Sequence, residues 1–251
     1  MSPFYLPQKY TSKVTFKTNL SSHFAHLIMQ KPEGFNYLAG QYVSLVVGEN
    51  VRRAYSLCNW VSMGNEGNVR DKGDMLELLV DTKAGGLGAK YVESLKVSDP
   101  IEFWGPYGSF VIPENIYGNI WFVGTGSGVA PLKAQVERML GGIGEMREMR
   151  VIYGTRVEED IVFLKNFENL AKTVKQFYYH VALSQPTVGF NPEWGEYWHK
   201  GHVTEIAQEL LKKEKPDYVF LCGHPDMMRD AIKMFSEAGV PQNQILFEKF
   251  S

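Results

Sequence analysis

The sequence predicts two domains, an antiparallel β-barrel followed by a parallel α/β sheet, and three features support this division. At 251 residues the chain exceeds the usual size of a single domain. Its first half contains short apolar runs separated by Gly, Asn, Asp and Pro, which is typical of a barrel. After Pro113, short apolar strands alternate with helical segments, as in βαβ units. We therefore expect a barrel domain at residues 1–114 and a doubly wound α/β domain at residues 115–251.

Six strands and one helix are expected in the barrel domain. The helix is placed at residues 89–95, and the polar, Gly-rich stretch 61–74 is expected to form a long turn between two strands. The short apolar runs place the strands at residues 13–20, 24–29, 42–47, 54–57, 75–80 and 101–104.

The α/β domain is expected to contain five strands and four helices. Asp226 can begin the last helix, and Gly239 follows its end. Ligands of such a sheet bind at the carboxyl ends of the strands. The strands are placed at residues 120–123, 149–153, 178–183, 218–221 and 244–247, and the helices at 131–140, 160–171, 204–213 and 226–238.

Composition excludes several classes of function. Hydrophobic residues make up 44% of the chain and charged residues 22%, with a net charge of -2, so nothing indicates a nucleic-acid partner. The apolar runs are far shorter than the roughly 20 residues that span a membrane, and no signal peptide is recognisable, so we expect a cytoplasmic protein. The two cysteines, Cys58 and Cys222, lie far apart and form no C-x-x-C motif, so we expect no metal.

A glycine-rich turn, GTGSGVAP, occupies residues 124–131 at the first strand-to-helix junction of the α/β domain. Its glycines permit a tight turn, and the amide groups at a helix start favour a phosphate. Position 129 is Val, so the G-x-G-x-x-G pattern is not matched. A purely geometric role of the turn is the alternative, but its position favours a bound ligand.

Two further segments carry residues suited to ligand binding. In Arg53-Ala-Tyr-Ser56 a cation, a ring and a hydroxyl could hold a phosphate, stack on a planar ring and donate a hydrogen bond. Taken alone, these residues favour an edge strand with a surface Arg and a buried Tyr. The segment LCGHPDM at 221–227 ends the fourth α/β strand, although a lone Cys222 is more typical of a small buried apolar residue.

In this order and spacing, the three segments resemble the ferredoxin-NADP reductase family of flavin oxidoreductases, and the resemblance covers residues 10–251. In that family R-x-Y-S binds flavin, G-T-G-x-G-x-A-P binds the nicotinamide dinucleotide, and C-G-x-P-x-M lies beside the nicotinamide. The segments GPYGSF at 105–110 and YGTR at 153–156 also agree with the family. The ending EKF at 248–250 resembles the terminal acid-x-aromatic segment whose ring covers the flavin, with a plain terminal strand as the alternative.

The resemblance implies an FAD enzyme that exchanges electrons between NADPH or NADH and a one-electron carrier such as ferredoxin, flavodoxin or an oxygenase component. It implies three catalytic residues: Ser56 near flavin N5, and Cys222 and Glu248 in the nicotinamide pocket. The implied flavin-binding residues are Arg53, Ala54, Tyr55, Ser56, Val80, Gly86, Leu87, Gly88 and Ala89, with Phe250 as a lid. The implied dinucleotide-binding residues are Gly124, Thr125, Gly126, Gly128, Arg156, Cys222, Gly223 and Met227.

Two departures from the family pattern leave alternatives open. Ala89 stands where the family has a hydroxyl that binds the flavin pyrophosphate, which keeps a reductase of free flavin in consideration. Ser184 is followed by Gln185 and not by a basic residue, which favours NADH slightly, although Arg156 or Lys200 could pair with a 2′-phosphate. A flavin-binding electron-transfer subunit of a larger complex is a further alternative.

Overall fold

The computed structural model describes residues 5–60, 75–83, 85–141, 147–188 and 197–249. The chain divides into two compact units, one of residues 1–112 and 133–145, the other of residues 113–132 and 146–251. The expected boundary between residues 114 and 115 stays a prediction. The expected long turn at 61–74 lies outside the described residues.

The first unit contains a six-stranded antiparallel sheet that curls into a barrel. Its edge strands meet at a bridge between Leu57 and Leu78, and the Cys58 N–H donates to the carbonyl of Glu77 at 2.9 Å. The predicted barrel is thereby confirmed. In the order β4-β3-β6-β1-β2-β5 the sheet comprises β1 (Gln8–Asn19), β2 (Phe24–Gln30), β3 (Tyr42–Gly48), β4 (Val51–Ser56), β5 (Met75–Asp81) and β6 (Pro100–Tyr107).

The barrel core follows from alternation along the strands, because successive side chains point to opposite faces. Leu27 and Met29 of β2 are fully buried, as are Val43 and Leu45 of β3. A helix, α1 (Leu87–Ser94), contributes Val92 to the same apolar cluster. Packing against this core fixes the start of α1 beside the barrel.

The second unit contains a six-stranded parallel sheet with helices, so the predicted α/β fold is also confirmed. The strand order is β10-β9-β8-β7-β11-β12, so successive strands are added on one side of β7 and then on its other side. Such a switch in the order of connection opens a crevice at the carboxyl ends of the strands. The strands are β7 (Ile120–Thr125), β8 (Met149–Thr155), β9 (Phe177–Leu183), β10 (Trp198–Lys200), β11 (Tyr218–Gly223) and β12 (Ile245–Lys249). The helices are α3 (Leu164–Thr173), α4 (Val203–Leu211) and α5 (Pro225–Glu237), together with the first four residues of α2 (Val129–Leu140), which continues in the first unit from Lys133.

Several elements differ from the sequence expectations, and β1, for example, begins at Gln8 and not at residue 13. Strand β10 was not expected, because a strand of three residues leaves no alternation to detect. Helix α3 begins later than expected, after a 3₁₀ turn at Glu158–Asp160 and a left-handed Phe163. Helix α2 begins at Val129, before Pro131. Helix α5 is capped by His224, whose Nδ1 accepts a hydrogen bond from the backbone N–H of Asp226, so Asp226 lies inside the helix.

No helix among the described residues is long and apolar enough to cross a membrane. The expected cytoplasmic location stays a prediction.

Candidate functional site

In the first unit, the end of β4 meets the start of α1 at Gly88. A Cβ atom added at Gly88 would lie less than 3.0 Å from the Tyr55 hydroxyl oxygen and 3.1 Å from Cγ of Arg53. Any side chain at this position would therefore displace Tyr55. The structure thus brings together Arg53, Tyr55 and Gly88, which the sequence analysis had assigned to one ligand.

The charge and backbone groups at this point suit an anion. Arg53 is exposed, and its Nη1 donates to the carbonyl of Arg52 at 2.9 Å. Helix α1 begins after Gly86, which supplies no side-chain cap, and its first turn contains no acidic residue. The first N–H groups of a helix have no partner within it, and they favour a phosphate. We call Arg53, Tyr55 and the first turn of α1 the phosphate cradle.

The remaining residues predicted to bind flavin differ in their burial. Burial raises the pKa of the Tyr55 hydroxyl, more than the nearby Arg53 lowers it, so the phenol remains a neutral donor. Ser56, at the end of β4, is buried. Among the others, Val80 and Ala89 are buried, and Ala54, Gly86 and Leu87 are exposed.

In the second unit, the glycine-rich turn packs directly on the end of β11. Cβ atoms added at Gly124 or Gly128 would approach the carbonyl of Cys222, the second of them to less than 3.0 Å. Gly223 adopts a φ of +147°, and Thr125 Oγ1 accepts a hydrogen bond from the His224 N–H at 3.0 Å. The predicted dinucleotide-binding turn and the predicted Cys-Gly segment are therefore in contact.

The thiol of Cys222 is buried and close to a carboxylate. Cys222 lies opposite Glu248 in the register of β11 and β12. Burial, and then the charge of Glu248, raise the pKa of the Cys222 thiol well above its ordinary value. The sulfur is therefore a neutral thiol and not a nucleophilic thiolate. Of the neighbouring residues predicted to bind the dinucleotide, Met227 is half-buried in the first turn of α5, and Gly126 begins the 3₁₀ turn before α2.

A carboxylate that the sequence analysis did not identify lies beside the end of β9. Glu158 accepts hydrogen bonds from the Thr187 N–H and hydroxyl, the latter at 2.8 Å, and from the Val188 N–H. Slight burial raises the pKa of Glu158, but hydrogen bonds from its own backbone and from these two residues outweigh it and hold the pKa below its ordinary value. No sequence motif marks this glutamate.

Arg156, which the family resemblance implies binds the dinucleotide, lies two residues before Glu158 in the same loop. The Gln185 N–H donates to the carbonyl of Arg156 at 2.8 Å, so these two residues are neighbours, and the Arg156 side chain is exposed. Lys200, the other basic residue considered for a 2′-phosphate, is exposed at the end of β10.

One group of possible metal ligands occurs among the described residues. Side-chain atoms of His26, Cys58 and Glu77 lie within 4.8 Å of one another. The Lys133 ammonium lies 3.8 Å from Glu77 Oε2 and therefore supplies a cation to the group. The absence of a metal stays a prediction. Phe250, the predicted lid, lies outside the described residues.

These features define a class of protein, an oxidoreductase with separate flavin and nicotinamide domains. The model of the oxidoreductase FAD-binding domain matches residues 11–112, and that of the oxidoreductase NAD-binding domain matches residues 122–233. The chain belongs to the ferredoxin-NADP reductase family of flavin oxidoreductases.

Several relatives illustrate the family. Ferredoxin–NADP reductase B of Sorangium cellulosum is 28% identical over 92% of this chain and 93% of its own length. The reductase component of propane 2-monooxygenase from Rhodococcus jostii is 28% identical over 88% of this chain and 57% of its own length. The crystal structure of cytochrome P450 reductase GcoB from Amycolatopsis superposes with a TM-score of 0.84 and 27% identity, covering 97% of this chain and 70% of that one. The chain spans little more than half the length of the first curated relatives that it matches.

Proposed function

We propose that this protein carries one FAD, takes electrons from NADH or NADPH, and delivers them singly to a protein redox partner. Two arrangements support the proposal: the phosphate cradle in the first unit, and the contact of the glycine-rich turn with Cys222 and Gly223 in the second. The observation that carries it is the meeting of Arg53, Tyr55 and Gly88, because a cation, an aromatic ring and helix-start amides at one point match the pyrophosphate and ring of a flavin nucleotide.

The residues of the phosphate cradle fit FAD in chemical type. Arg53 would pair with the pyrophosphate, and the first N–H groups of α1 would bind it where Ala89 provides no hydroxyl. The ring of Tyr55 would lie against the flavin, and Ser56 would donate a hydrogen bond near its N5. Bound FAD accepts a hydride and passes electrons on one at a time, which is the chemistry that links a nicotinamide to a one-electron carrier.

The second unit would hold the nicotinamide dinucleotide. The turn at residues 124–128 would bind the dinucleotide phosphates with backbone N–H groups, and the absence of side chains at Gly124 and Gly128 keeps that backbone close to β11. The neutral thiol of Cys222 and the carboxylate of Glu248 would line the nicotinamide pocket. In this proposal neither residue forms a covalent bond with substrate, and each positions the ring.

We propose further that NADH is preferred over NADPH. In α/β sheets of this kind an acidic side chain can accept a hydrogen bond from the adenosine ribose, whereas a 2′-phosphate calls for Arg or Lys. Glu158 provides a carboxylate that accepts hydrogen bonds from three donor groups in the loop after β9, and position 185 is Gln. A fixed negative charge there would repel a dianionic phosphate. Arg156 lies in the same loop as Glu158, and its exposed cation would be available to a 2′-phosphate.

The proposed electron acceptor is a small redox protein or an oxygenase component. The relatives named as a ferredoxin reductase and as a reductase component of a monooxygenase support this class of partner. Steady-state assays with NADH and purified ferredoxin, flavodoxin or cytochrome c would test it. Reduction of a one-electron acceptor that depends on bound FAD supports the proposal, and hydride transfer only to two-electron acceptors argues against it.

A reductase of free flavin is the second candidate, and the missing hydroxyl at position 89 is the observation that favours it. The two candidates differ in how flavin is held. A tightly bound FAD remains after gel filtration at a ratio near one per chain. If flavin leaves the protein during filtration and activity rises with added free flavin through a saturable KM, the second candidate is correct.

A further inference from the structure

A buried lysine contacts the segment that follows Ser56, although no sequence motif identifies it. Lys133 lies on α2, its side chain is only 2% exposed, and it belongs to the first unit together with the barrel. Its ammonium donates to the carbonyl of Cys58 at 2.8 Å and lies 2.8 Å from a carboxylate oxygen of Glu137. A lysine is rarely buried unless its charge is paired, so the partners of Lys133 explain its position.

Glu137 extends the same contact to a second backbone group. Its Oε2 accepts a hydrogen bond from the Trp60 N–H at 3.3 Å. Lys133 and Glu137 are one helical turn apart, and together they bind the carbonyl of Cys58 and the N–H of Trp60 in the same segment. One face of α2 thereby holds the chain from Cys58 to Trp60.

Residues of the barrel unit also bind this segment, through hydrogen bonds from its backbone N–H groups. The Leu57 N–H donates to the carbonyl of Gln41 at 3.0 Å, and the Cys58 N–H donates to the carbonyl of Glu77. The N–H groups of Leu57 and Cys58 are thus bound by carbonyls of the barrel unit, and the Cys58 carbonyl is bound by Lys133. Ser56 directly precedes this segment, residues 57–60.

The charges around Lys133 keep its ammonium protonated. Burial lowers the pKa of Lys133, but Glu137, Cys58 and Glu77 outweigh burial, and the pKa lies above its ordinary value. Glu77 is also in contact with His26, at 3.2 Å. A permanent cation therefore sits between two carboxylates and a backbone carbonyl.

We propose that Lys133, acting with Glu137, is a positioning residue for flavin: it fixes the backbone after Ser56 and so sets the position of the Ser56 hydroxyl against the bound flavin. This inference rests on the proposed function, because it assigns flavin to Ser56. Lys133 acts only through the backbone and Ser56 and is not a catalytic residue.

The test compares Lys133→Met, the conservative Lys133→Arg, and Glu137→Gln with Lys212→Met, which removes an exposed lysine that pairs only with Glu209 in the described contacts. For each variant we would measure the FAD dissociation constant by flavin fluorescence, the visible absorption of the bound flavin, and the rate of flavin reduction by NADH. We expect Lys133→Met to shift the flavin absorption and to slow reduction about 10-fold, with the KM for NADH unchanged. Lys133→Arg should keep the flavin absorption and the reduction rate close to those of the wild type. Lys212→Met should match the wild type in both measurements.

A double-mutant cycle with Ser56→Ala decides whether Lys133 acts through Ser56. If it does, adding Lys133→Met to Ser56→Ala changes the spectrum and the reduction rate no further. Additive effects, or a loss of melting temperature with an unaltered spectrum and rate, overturn the inference. If Lys133→Met does not fold, the same cycle is run with Glu137→Gln, whose side chain is 29% exposed and keeps an acceptor for Trp60. A wild-type protein that binds no FAD would refute the proposed function itself, which separates the two failures.

Discussion

Cys222 and Glu248 lie opposite each other on the adjacent parallel strands β11 and β12, and the carboxylate contributes to keeping the buried thiol protonated. Both follow short apolar runs, residues 218–221 and 245–247, that place them at the carboxyl edge of the sheet, where ligands of this fold bind. A neutral thiol and a carboxylate can shape and orient a nicotinamide ring without reacting with it.

We expect Cys222→Ala to slow the reduction of bound flavin by NADH roughly 10-fold or more, because a small misplacement of the reacting ring costs rate steeply. FAD content should remain that of the wild type. Stopped-flow absorbance gives the rate, and Glu248→Gln should behave in the same way. Lys249→Gln, which changes the exposed neighbour of Glu248, is the control. Wild-type rates in both variants, or loss of FAD from both, would show that these residues are not in the nicotinamide pocket.

Arg53→Ala should weaken FAD binding by about 1.5 to 3 kcal/mol, the usual value of a charge-assisted hydrogen bond. The adjacent Arg52→Ala is a matched control, because the Arg52 guanidinium lies 5.4 Å from the ring centroid of Trp104 and is not part of the phosphate cradle. Fluorescence titration of apoprotein with FAD measures both. Equal affinities for the two variants would assign Arg53 to the surface.

Glu158→Gln should raise kcat/KM for NADPH about 5-fold while changing that for NADH little, because one unit charge a few ångströms from a phosphate costs about 1 kcal/mol in water. Glu159→Gln alters the exposed neighbouring charge and tests for a general charge effect. Steady-state kinetics with both dinucleotides provide the comparison. The proposed NADH preference fails if the wild type already uses NADPH at least as well as NADH.

The family resemblance implies that Phe250 is a lid on the flavin, and it predicts that removing residues 250–251 tightens the binding of NAD(P)⁺, because a ring stacked there would have to leave before nicotinamide could take its place. Titration of intact and truncated protein, followed by flavin absorbance, measures the change. Equal or weaker binding after truncation would contradict the lid assigned to Phe250.

Acidification should destabilise the second unit through a pair of histidines. Burial, Arg150 and His199 lower the pKa of His180 to about 3, and burial lowers that of His199. Below pH 6.5 the unfolded chain binds protons that the folded His180 does not, so stability present at neutral pH is lost as the pH falls toward 3. Between pH 6.5 and pH 5 the loss from His180 is about 2 kcal/mol. Urea unfolding at several pH values would measure this loss in the free energy of unfolding. The variant His180→Gln should show a weaker dependence of that free energy on pH. If the free energy of unfolding depends on pH equally in that variant and in the wild type, His180 is not the source of the dependence.

The fold was predictable because its signals are local. Alternation along β2 and β3 and the fully apolar runs of β7 and β11 fixed the class of both units. The site was predictable mainly through the family resemblance, since Arg53 and Gly88 are far apart in sequence and only the fold brings them together. Lys133 was not predictable, because a lysine on a helix is normally exposed and its burial depends on contacts with residues 58, 77 and 137.

An anaerobic titration of the purified protein with NADH, followed by absorbance, tests whether NADH reduces a bound FAD. We expect one FAD per chain, identified after heat release, and loss of its visible absorption after one equivalent of NADH, with NADPH less effective. A colourless protein that cannot be reconstituted with FAD, or a bound flavin that neither dinucleotide reduces, would contradict the proposed function.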